Sequence, residues 1–298
     1  MKNEGKHMKK VLLCMVLGLF SFSMLAKVSV REKKALIRLF ESTNGNHWVR
    51  KWDLKSPVEE WYGVEIVNGK VVGLNLFRNN LMGHLPIELG DLKYLEVLNL
   101  AFNSITGELP ETIMDLASLK VLKLEMNRIK GQLPGSIGKL AQLEELSAFN
   151  NFLSGNIPEG IGALSELRIL NLSSNALKGG IPKSLGNLAH LETLGLFENA
   201  LEGSIPGELG QLRDLRELVL ANNRLNGEIP EEFGQLASLE IFQIQNNEFD
   251  SFKNLELMEN REYLVFDYDG GDRDSRFKKL NFDKTRMADT KFEDDIEN

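Results

Sequence analysis

Leucine recurs through the middle of the chain at one fixed spacing, without an insertion or deletion between copies. Asparagine, glycine and proline keep the same step, beginning at Asn103, Gly107 and Pro110. A strict period of this kind indicates one structural unit stacked on copies of itself. The pattern therefore predicts a solenoid. The leucines that define the period most clearly are Leu95, Leu119, Leu143, Leu167, Leu191, Leu215 and Leu239.

Each unit follows the pattern L-x-x-L-x-L-x-x-N-x-L-x-G-x-I-P-x-x-L-G-x-L-x-x. Its segment x-L-x-L-x alternates between apolar and variable positions, which predicts a short strand with inward-facing leucines. One unit alone buries too little apolar surface to offset the ordering of its backbone, so neighbouring units must complete the core. The predicted fold class is an α/β solenoid of eight 24-residue repeats.

An asparagine follows each predicted strand, where the chain turns inward. Its amide offers both donors and an acceptor, so it can pair with backbone groups of its own turn and the adjacent one. We expect these side chains to form a structural ladder without chemistry of its own. Its members are Asn79, Asn103, Asn127, Asn151, Asn175, Asn199, Asn223 and Asn247.

The repeated motif L-x-G-x-I-P-x-x-L-G-x-L resembles the plant-type leucine-rich repeat. This resemblance implies a curved horseshoe or superhelix with a parallel sheet on its concave face and tight helical turns behind. It also implies that ligands are recognised by exposed strand positions. The aromatic segment from Trp48 to Val64 resembles the N-terminal caps of receptor-like ectodomains and secreted repeat proteins. Because it lacks their cysteine pair, it is closer to the cysteine-free caps of bacterial surface repeat proteins.

The chain divides into four predicted sections. Residues 1–26 read as a signal peptide, because two lysines precede a short apolar run and then small residues. Residues 27–70 are the N-terminal helical cap, 71–249 the repeats, and 250–298 a C-terminal cap and acidic tail. The eighth unit has Ser251, Lys253 and Asn254 where glycine, isoleucine and proline belong, so we expect the solenoid to end at Asp250.

The predicted N-terminal cap begins with a capping box, Ser29-x-x-Glu32, which opens an amphipathic helix. Four aromatic residues follow within a short stretch. They are either a ligand platform or, as we favour, a cover for the apolar end of the solenoid, which every such array requires. These residues are Trp48, Trp52, Trp61 and Tyr62.

Net charge and cysteine content limit the partners and the compartment that fit this chain. The formal net charge is −8, and residues 1–26 are themselves basic, so the mature chain is more acidic still. No basic stripe is available to neutralise phosphates, which disfavours nucleic-acid binding. Cys14 is the only cysteine and lies within the predicted signal, so the mature chain must be stable in an oxidising compartment without disulfides. The apolar run is short for a membrane span, and no stable span is predicted in the mature chain.

The two residues before each asparagine are the variable positions that we expect to face solvent. Among them, Phe77, Phe102, Met126 and Phe149 form a nearly continuous apolar band across four repeats. Exposed apolar bands with polar flanks are typical of interaction surfaces. The alternative is that these rings pack on one another along the strand edges. The remaining predicted binding residues are Phe152 and Phe197, which extend the band, and Arg78, Glu125, Asn150 and Glu198, which add polar contacts.

No catalytic, metal or cofactor site is predicted. The segment from Tyr263 to Gly270 superficially resembles the first motif of haloacid-dehalogenase-type phosphatases, but too few residues follow for such a domain. Asp267, Asp269, Asp272 and Asp274 lie in a glycine-containing loop that could hold calcium, although the EF-hand pattern is broken. A solvated acidic turn is the favoured interpretation.

The sequence thus predicts a non-enzymatic recognition module that is secreted, periplasmic or at the cell surface. Its partner is expected to be an extracellular protein, peptide or glycan bound on the concave face. The alternative is a structural adhesin or assembly spacer that binds through its caps or C-terminal segment.

Overall fold

A computed structural model describes residues 27–258 and 263–269. The predicted signal peptide with Cys14 lies outside these residues, as do Asp272, Asp274 and the remainder of the predicted acidic tail. The N-terminal cap, the repeats and the first part of the C-terminal section lie within them.

The N-terminal cap is built on one α-helix, Val30–Ser42, which begins at the predicted capping box. The Ser29 hydroxyl oxygen accepts from the Glu32 amide at 3.2 Å, and Glu32 Oε2 accepts from the Ser29 amide at 3.3 Å. Glu32 Oε1 also accepts from the Val71 amide at 3.1 Å. The buried Glu32 carboxylate therefore connects the cap helix by a hydrogen bond to the first strand of the repeats. Two 3-10 helices complete the cap, Gly45–His47 and Val58–Glu60.

The cap tryptophans are buried against one another. Trp52 stacks on Trp61 with ring centroids 4.8 Å apart and meets Trp48 edge-on at 4.9 Å. All three are at most 4% exposed. Their packing supports the interpretation that they cover the end of the solenoid. Tyr62 instead remains 37% exposed, with the Arg50 guanidinium 4.6 Å from its ring centroid.

A ten-stranded sheet, here called the long sheet, runs the length of the array. Its first two strands are antiparallel and all later neighbours are parallel, with partners exactly one repeat apart in the sequence, such as Leu98 and Leu122. The strands are Val64–Val67, Lys70–Asn75, Val97–Asn99, Val121–Lys123, Glu145–Ser147, Ile169–Asn171, Thr193–Gly195, Glu217–Val219, Ile241–Gln243 and Val265–Asp267.

The last of these strands corrects the predicted end of the solenoid. Val265–Asp267 pairs in parallel with Ile241–Gln243 at the same step of one repeat, so the sheet continues beyond Asp250. Phe266 occupies the place of a core leucine and its ring lies 5.6 Å from that of Phe242. The asparagine, glycine and proline of the pattern are lost here, but inward-facing aromatic residues keep the stacking.

A second set of parallel strands, here called the flank strands, follows the asparagine of each repeat and was not predicted. These strands form a six-stranded and a two-stranded sheet. A glycine at positive φ ends several of them, and at Gly131 a Cβ would lie 2.8 Å from the Glu108 side chain. The strands are Met82–His84, Ser104–Thr106, Lys130–Gly131, Phe152–Gly155, Ala176–Gly179, Ala200–Ser204, Arg224–Glu228 and Glu248–Ser251.

The remaining side of each repeat is a short 3-10 helix, as the resemblance implied. In most repeats the recurring proline immediately precedes the helix, because its fixed φ suits a helical start. The apolar residues of the long sheet, the flank strands and these helices form one continuous buried core. The helices are Ile87–Asp91, Glu111–Asp115, Ile137–Lys139, Glu159–Ala163, Lys183–Asn187, Gly207–Gln211, Glu231–Gln235 and Lys253–Met258.

The asparagine side chains bond successive turns together. Asn151 Nδ2 donates to the carbonyls of Leu124, Ala148 and Phe149 at 3.0–3.3 Å, and its Oδ1 accepts from the Ile129 amide at 2.9 Å. The same arrangement repeats through the array, and the first asparagine, Asn79, bonds instead to the backbone of Arg50 in the cap. The ladder therefore joins the cap to the repeats as well as one repeat to the next.

Candidate functional site

The side of the long sheet that faces away from the core is the candidate recognition surface, here called the outer face. Leu98 and Leu100 are fully buried, so the alternating residues Val97, Asn99 and Ala101 belong to the opposite side. The equivalent residues of the next four repeats are Val121, Lys123 and Glu125; Glu145, Ser147 and Phe149; Ile169, Asn171 and Ser173; and Thr193, Gly195 and Phe197.

This geometry corrects the sequence interpretation of the two residues before each asparagine. Only the first of them, such as Phe77 or Phe149, continues the outer face. The second lies in the turn and has a left-handed backbone, with φ of 57° at Phe102 and 55° at Met126. The other residues in this left-handed position are Arg78, Asn150, Ser174, Glu198, Asn222 and Asn246.

A left-handed backbone costs an ordinary L-residue roughly 1–2 kcal/mol, while asparagine adopts it more readily. Three repeats place asparagine there, whereas Phe102 and Met126 place large apolar side chains at the same strained position. Local backbone preference therefore does not explain these two residues. Backbone strain of this kind often occurs at functional sites.

The predicted apolar band is present in part. The rings of Phe77 and Phe102 lie 5.2 Å apart, and Asn150 Nδ2 lies 2.9 Å from the Met126 sulfur. Phe149 belongs to the outer face beside Glu125, since the Met126 amide donates to the Phe149 carbonyl on the neighbouring strand. These side chains occupy the first four repeats.

Two predicted members lie apart from the band. Phe197 is on the outer face but is separated from Phe149 by the repeat that contains Ser173 and Ser174. In that repeat the Ser174 hydroxyl donates to Glu198 Oε2 at 2.7 Å. Phe152 is not on the outer face: it begins a flank strand and is 61% exposed. Phe152 follows the inward turn at Asn151 and therefore lies where the chain passes from the long sheet to the flank strands.

A polar group interrupts the band at its centre. Glu125 is 7% exposed, and its Oε2 atom has no hydrogen-bond partner among the described residues. The Oγ atom of Ser147, on the adjacent strand, is likewise buried and unpartnered there. Lys123 lies on the same strand as Glu125, but its ammonium is 3.1 Å from Glu145.

Several outer-face carboxyl groups are harder to ionise than usual. Burial raises the pKa of Glu125, against smaller opposing effects of its own backbone amide and the nearby Ser147 hydroxyl. The Lys123 ammonium, which is paired with Glu145, also lowers the pKa of Glu125 by a smaller amount. Burial also raises the pKa of Glu217 and of Asp267, assisted by the neighbouring charges of Glu240 and Asp269 respectively. The outer face therefore holds carboxylates that lack full solvation, a condition that favours a cationic or hydrogen-donating ligand.

The described residues offer no other obvious chemistry. They contain no group of three or more histidine, cysteine or acidic residues placed to hold a metal ion. Asp267 and Asp269 belong to the last strand of the long sheet and its end, and Asp269 Oδ2 accepts from the Asn247 amide at 3.3 Å. This strand accounts for the sequence that resembles a phosphatase motif. Within the same described ranges, no helix has the length and apolar character needed to cross a bilayer.

Sequence reasoning missed part of the site because it considered only the end of each strand. Lys123, Ser147 and Asn171 hold the central variable position of the x-L-x-L-x segment and face outward, and Ser147 and Asn171 are more than nine-tenths buried. The alternation x-L-x-L-x was the signal that could have identified them. The burial of Glu125 had no such signal, since it depends on neighbours a whole repeat away in the sequence.

Comparison with protein families finds the same repeat in two stretches. Residues 73–179 match a family model described as a leucine-rich repeat region, and residues 214–236 match a leucine-rich repeat. Polygalacturonase inhibitor 1 of Arabidopsis thaliana is 34% identical over 71 residues, which is 22% of each chain. The similarity to this inhibitor thus spans about a fifth of its length.

Solved structures share the architecture over a larger part of the chain. The ectodomain of the Arabidopsis thaliana membrane receptor kinase GASSHO1/SCHENGEN3, in complex with CASPARIAN STRIP INTEGRITY FACTOR 2, is 32% identical with a TM-score of 0.72. The match covers 79% of this chain and 30% of that one. The PEPR1–AtPEP1 complex is 28% identical, with a TM-score of 0.69 and coverages of 79% and 34%. A repeat protein of Leptospira interrogans is 34% identical, with a TM-score of 0.55 and coverages of 65% and 49%.

Proposed function

Because the chain belongs to the leucine-rich repeat proteins with the plant-type consensus, we propose that it is a recognition module whose outer face binds a peptide segment, free or within a protein. The binding region extends over the first four repeats, from Phe77 to Phe149. The proposed setting is extracellular or at a cell surface. The signal-like character of residues 1–26 and the receptor ectodomains among the similar structures support that setting.

The observation that carries this proposal is the occupation of the left-handed turn by Phe102 and Met126. Asparagine would fit the backbone there and stands in the equivalent place at Asn150, Asn222 and Asn246. Both side chains lie outside the buried core, beyond the inward-facing leucines. A favourable contact with a partner would offset their strain.

The chemistry of the surface suits a peptide. Phe77, Phe102 and Phe149 provide apolar area, and aromatic residues are enriched among the side chains that dominate binding energy. The adjacent polar groups can fix the orientation of a ligand. Two of the similar structures are named for complexes with AtPEP1 and the peptide hormone IDA, which supports a peptide or protein over a glycan.

The test is to pan a random peptide display library against the full chain and measure the affinities of selected peptides. The decisive variant combines Phe102→Asn with Phe149→Ser, since both replacements already occur at equivalent positions, as Asn150 and Ser173. Ile87→Glu is the matched control, because Ile87 is an exposed apolar residue on the helical side and Glu111 holds its place in the next repeat.

Support requires peptides whose binding is lost in the double variant and retained in the control. Equal binding by the wild-type chain and the double variant would overturn the proposal. The spacer hypothesis predicts a different pattern. Leu257 and Leu264, near the C-terminal end of the described array, are 57% and 71% exposed. Their replacement by serine would then abolish binding while the double variant remained active.

A further inference from the structure

Two buried polar atoms on adjacent strands of the outer face have no partner, and together they suggest what the surface recognises. Glu125 Oε2 and Ser147 Oγ belong to residues that are 7% and 3% exposed. Buried polar atoms in folded proteins nearly always have a hydrogen-bond partner, so each exception needs a physical explanation. Among the described residues one other such atom is present, Gln245 Oε1, several repeats away.

The unpartnered atoms belong to the recognition surface and not to the core. Leu124 and Leu146 precede Glu125 and Ser147 and are buried on the inner side, so the next residues face outward. Ser147 pairs with Lys123 on the neighbouring strand, and Glu125 lies two positions further along that chain segment, on the same face. Ala101 flanks Glu125 on the other side, since the Phe102 amide donates to the Glu125 carbonyl. Both side chains therefore lie directly beneath the surface that a ligand on the outer face would contact.

The local charge identifies the kind of group that fits. The Lys123 ammonium is paired with the Glu145 carboxylate at 3.1 Å and lowers the pKa of Glu125 less than burial raises it, so Glu125 has no direct ion pair among the described residues. An anionic ligand would be repelled, and an apolar one would leave both atoms unpartnered. A cation with several N–H donors would provide both the missing charge and the missing hydrogen bonds. Burial raises the pKa of Glu125, which is consistent with a carboxylate that lacks its counter-ion.

The surroundings suit a side chain that carries such a cation on an apolar stem. Phe149 follows Ser147 on the same strand face, and Met126 follows Glu125 in the turn. Long basic side chains pack their methylene groups on apolar surface while the charged head reaches a polar partner. Aromatic rings add favourable contacts with guanidinium and ammonium groups.

We propose that Glu125 and Ser147 form a subsite for a basic side chain of the bound peptide, an arginine guanidinium or a lysine ammonium. This subsite rests on the proposed function for its ligand class, since the cation is carried by a peptide on the outer face. It assigns charge specificity to the centre of a band that is otherwise apolar.

A direct test uses a small probe that does not depend on finding the natural ligand. The carboxyl ¹³C resonance of Glu125 in the full-length chain is followed during titration with N-acetyl-argininamide and, separately, with neutral N-acetyl-citrullinamide. We expect the arginine probe to shift the resonance saturably and to lower the pKa of Glu125, and the citrulline probe to do neither. Glu217 is the internal control, because it is also a partly buried outer-face carboxyl but contributes no unpartnered buried atom in the described chain.

Two variants test whether the response to the arginine probe depends on Ser147 and Glu125. Ser147→Ala should weaken the arginine probe about two- to tenfold, the range expected for one neutral hydrogen bond, and Glu125→Gln should abolish the saturable response of neighbouring resonances. An unmoved Glu125 up to the solubility limit of the probe overturns the subsite. So does an equal response to citrulline, or a response that survives Glu125→Gln.

The selected peptides separate this inference from the proposed function. If the subsite exists, they are enriched in arginine or lysine, and Glu125→Gln lowers their affinity by about tenfold or more, as expected for a charged hydrogen bond. Peptides that depend on Phe102 and Phe149 but not on Glu125 would sustain the proposed function and refute the subsite. A Glu125 response to the arginine probe without any peptide binding would sustain the subsite and refute the proposed function.

Discussion

The rings of Phe77 and Phe102 lie 5.2 Å apart although the two residues hold different positions in their repeats. Phe77 lies two residues beyond the strand Lys70–Asn75, in line with its outward-facing residues, whereas Phe102 occupies the left-handed turn that follows the next strand. Contact between them thus joins the outer face to its edge. The apolar band uses both kinds of position, with Phe77 and Phe149 on the outer face and Phe102 and Met126 in the turns.

Replacing Phe102 with asparagine separates packing from recognition. Relief of the left-handed strain, roughly 1–2 kcal/mol, should offset the lost aromatic contact, about 0.5–1.5 kcal/mol. We expect the free energy of unfolding of Phe102→Asn to stay within about 1 kcal/mol of wild type in a denaturant titration. Phe242→Ala, which removes a fully buried ring, should lose about 3–5 kcal/mol. A loss of similar size in Phe102→Asn would show that the ring is structural.

The asparagine ladder predicts a large effect from a small truncation. Asn151→Ala removes the partner of the Ile129 amide and of three carbonyls. We expect the free energy of unfolding to fall by about 1–3 kcal/mol, the cost of leaving such groups unpaired. The exposed Asn156, replaced in the same way, should change it by less than about 0.5 kcal/mol. Equal denaturation midpoints for the two variants would refute the ladder's role in stability.

Glu125 predicts a pH-dependent gain of stability on its replacement. Its folded-state pKa is raised by burial above the unfolded value of about 4.3. The folded chain therefore holds this proton more tightly, so the free energy of unfolding decreases as pH rises from about 4.3 through the folded pKa. Glu125→Gln removes this pH-dependent decrease in the free energy of unfolding, because glutamine does not ionise. We expect the variant to melt above wild type at neutral pH, with the difference closing below about pH 4.

The control for this experiment is Glu202→Gln, which changes an exposed carboxylate on a flank strand. Its melting temperature should follow wild type at every pH. A Glu125→Gln variant that is less stable than wild type at neutral pH would contradict the burial of an uncompensated carboxylate.

The last strand of the long sheet predicts that the solenoid depends on residues beyond Asp250. Phe266 is 5% exposed and its ring contacts those of Phe242, Tyr263 and Tyr268. We expect Phe266→Ala to lower the free energy of unfolding by about 3 kcal/mol or more. Leu264→Ala, at a 71% exposed residue two positions earlier, should have little effect. If both variants unfolded like wild type, the last strand would not be part of the cooperative array.

Sequence periodicity predicted the stacking and the position of every ladder asparagine, because these depend on residues that recur unchanged, and the family resemblance implied the helical turns. It missed the strand at Val265–Asp267, where Tyr263 and Phe266 replace leucines and the other markers are lost. It also missed the flank strands, whose short x-L-x-G segments resemble turns.

The recognition surface was less predictable for a physical reason. Whether a variable residue lies on the outer face or in the left-handed turn depends on backbone geometry, so the sequence pattern alone assigns Phe102 and Met126 to the same surface as Phe77. The pattern also predicts Phe152 beside them, although the inward turn at Asn151 moves it to the start of a flank strand. The burial of Glu125 and Ser147 arises from neighbouring strands and leaves no local sequence signal.

The most direct measurement is the equilibrium affinity of one selected peptide for three forms of the full chain. They are the wild type, the Phe102→Asn and Phe149→Ser double variant, and a Leu257→Ser and Leu264→Ser double variant. Loss of two central contacts is expected to weaken binding about 100-fold or more in the first double variant, with no change in the second. Unchanged affinity in the first and a loss in the second would contradict recognition on the outer face.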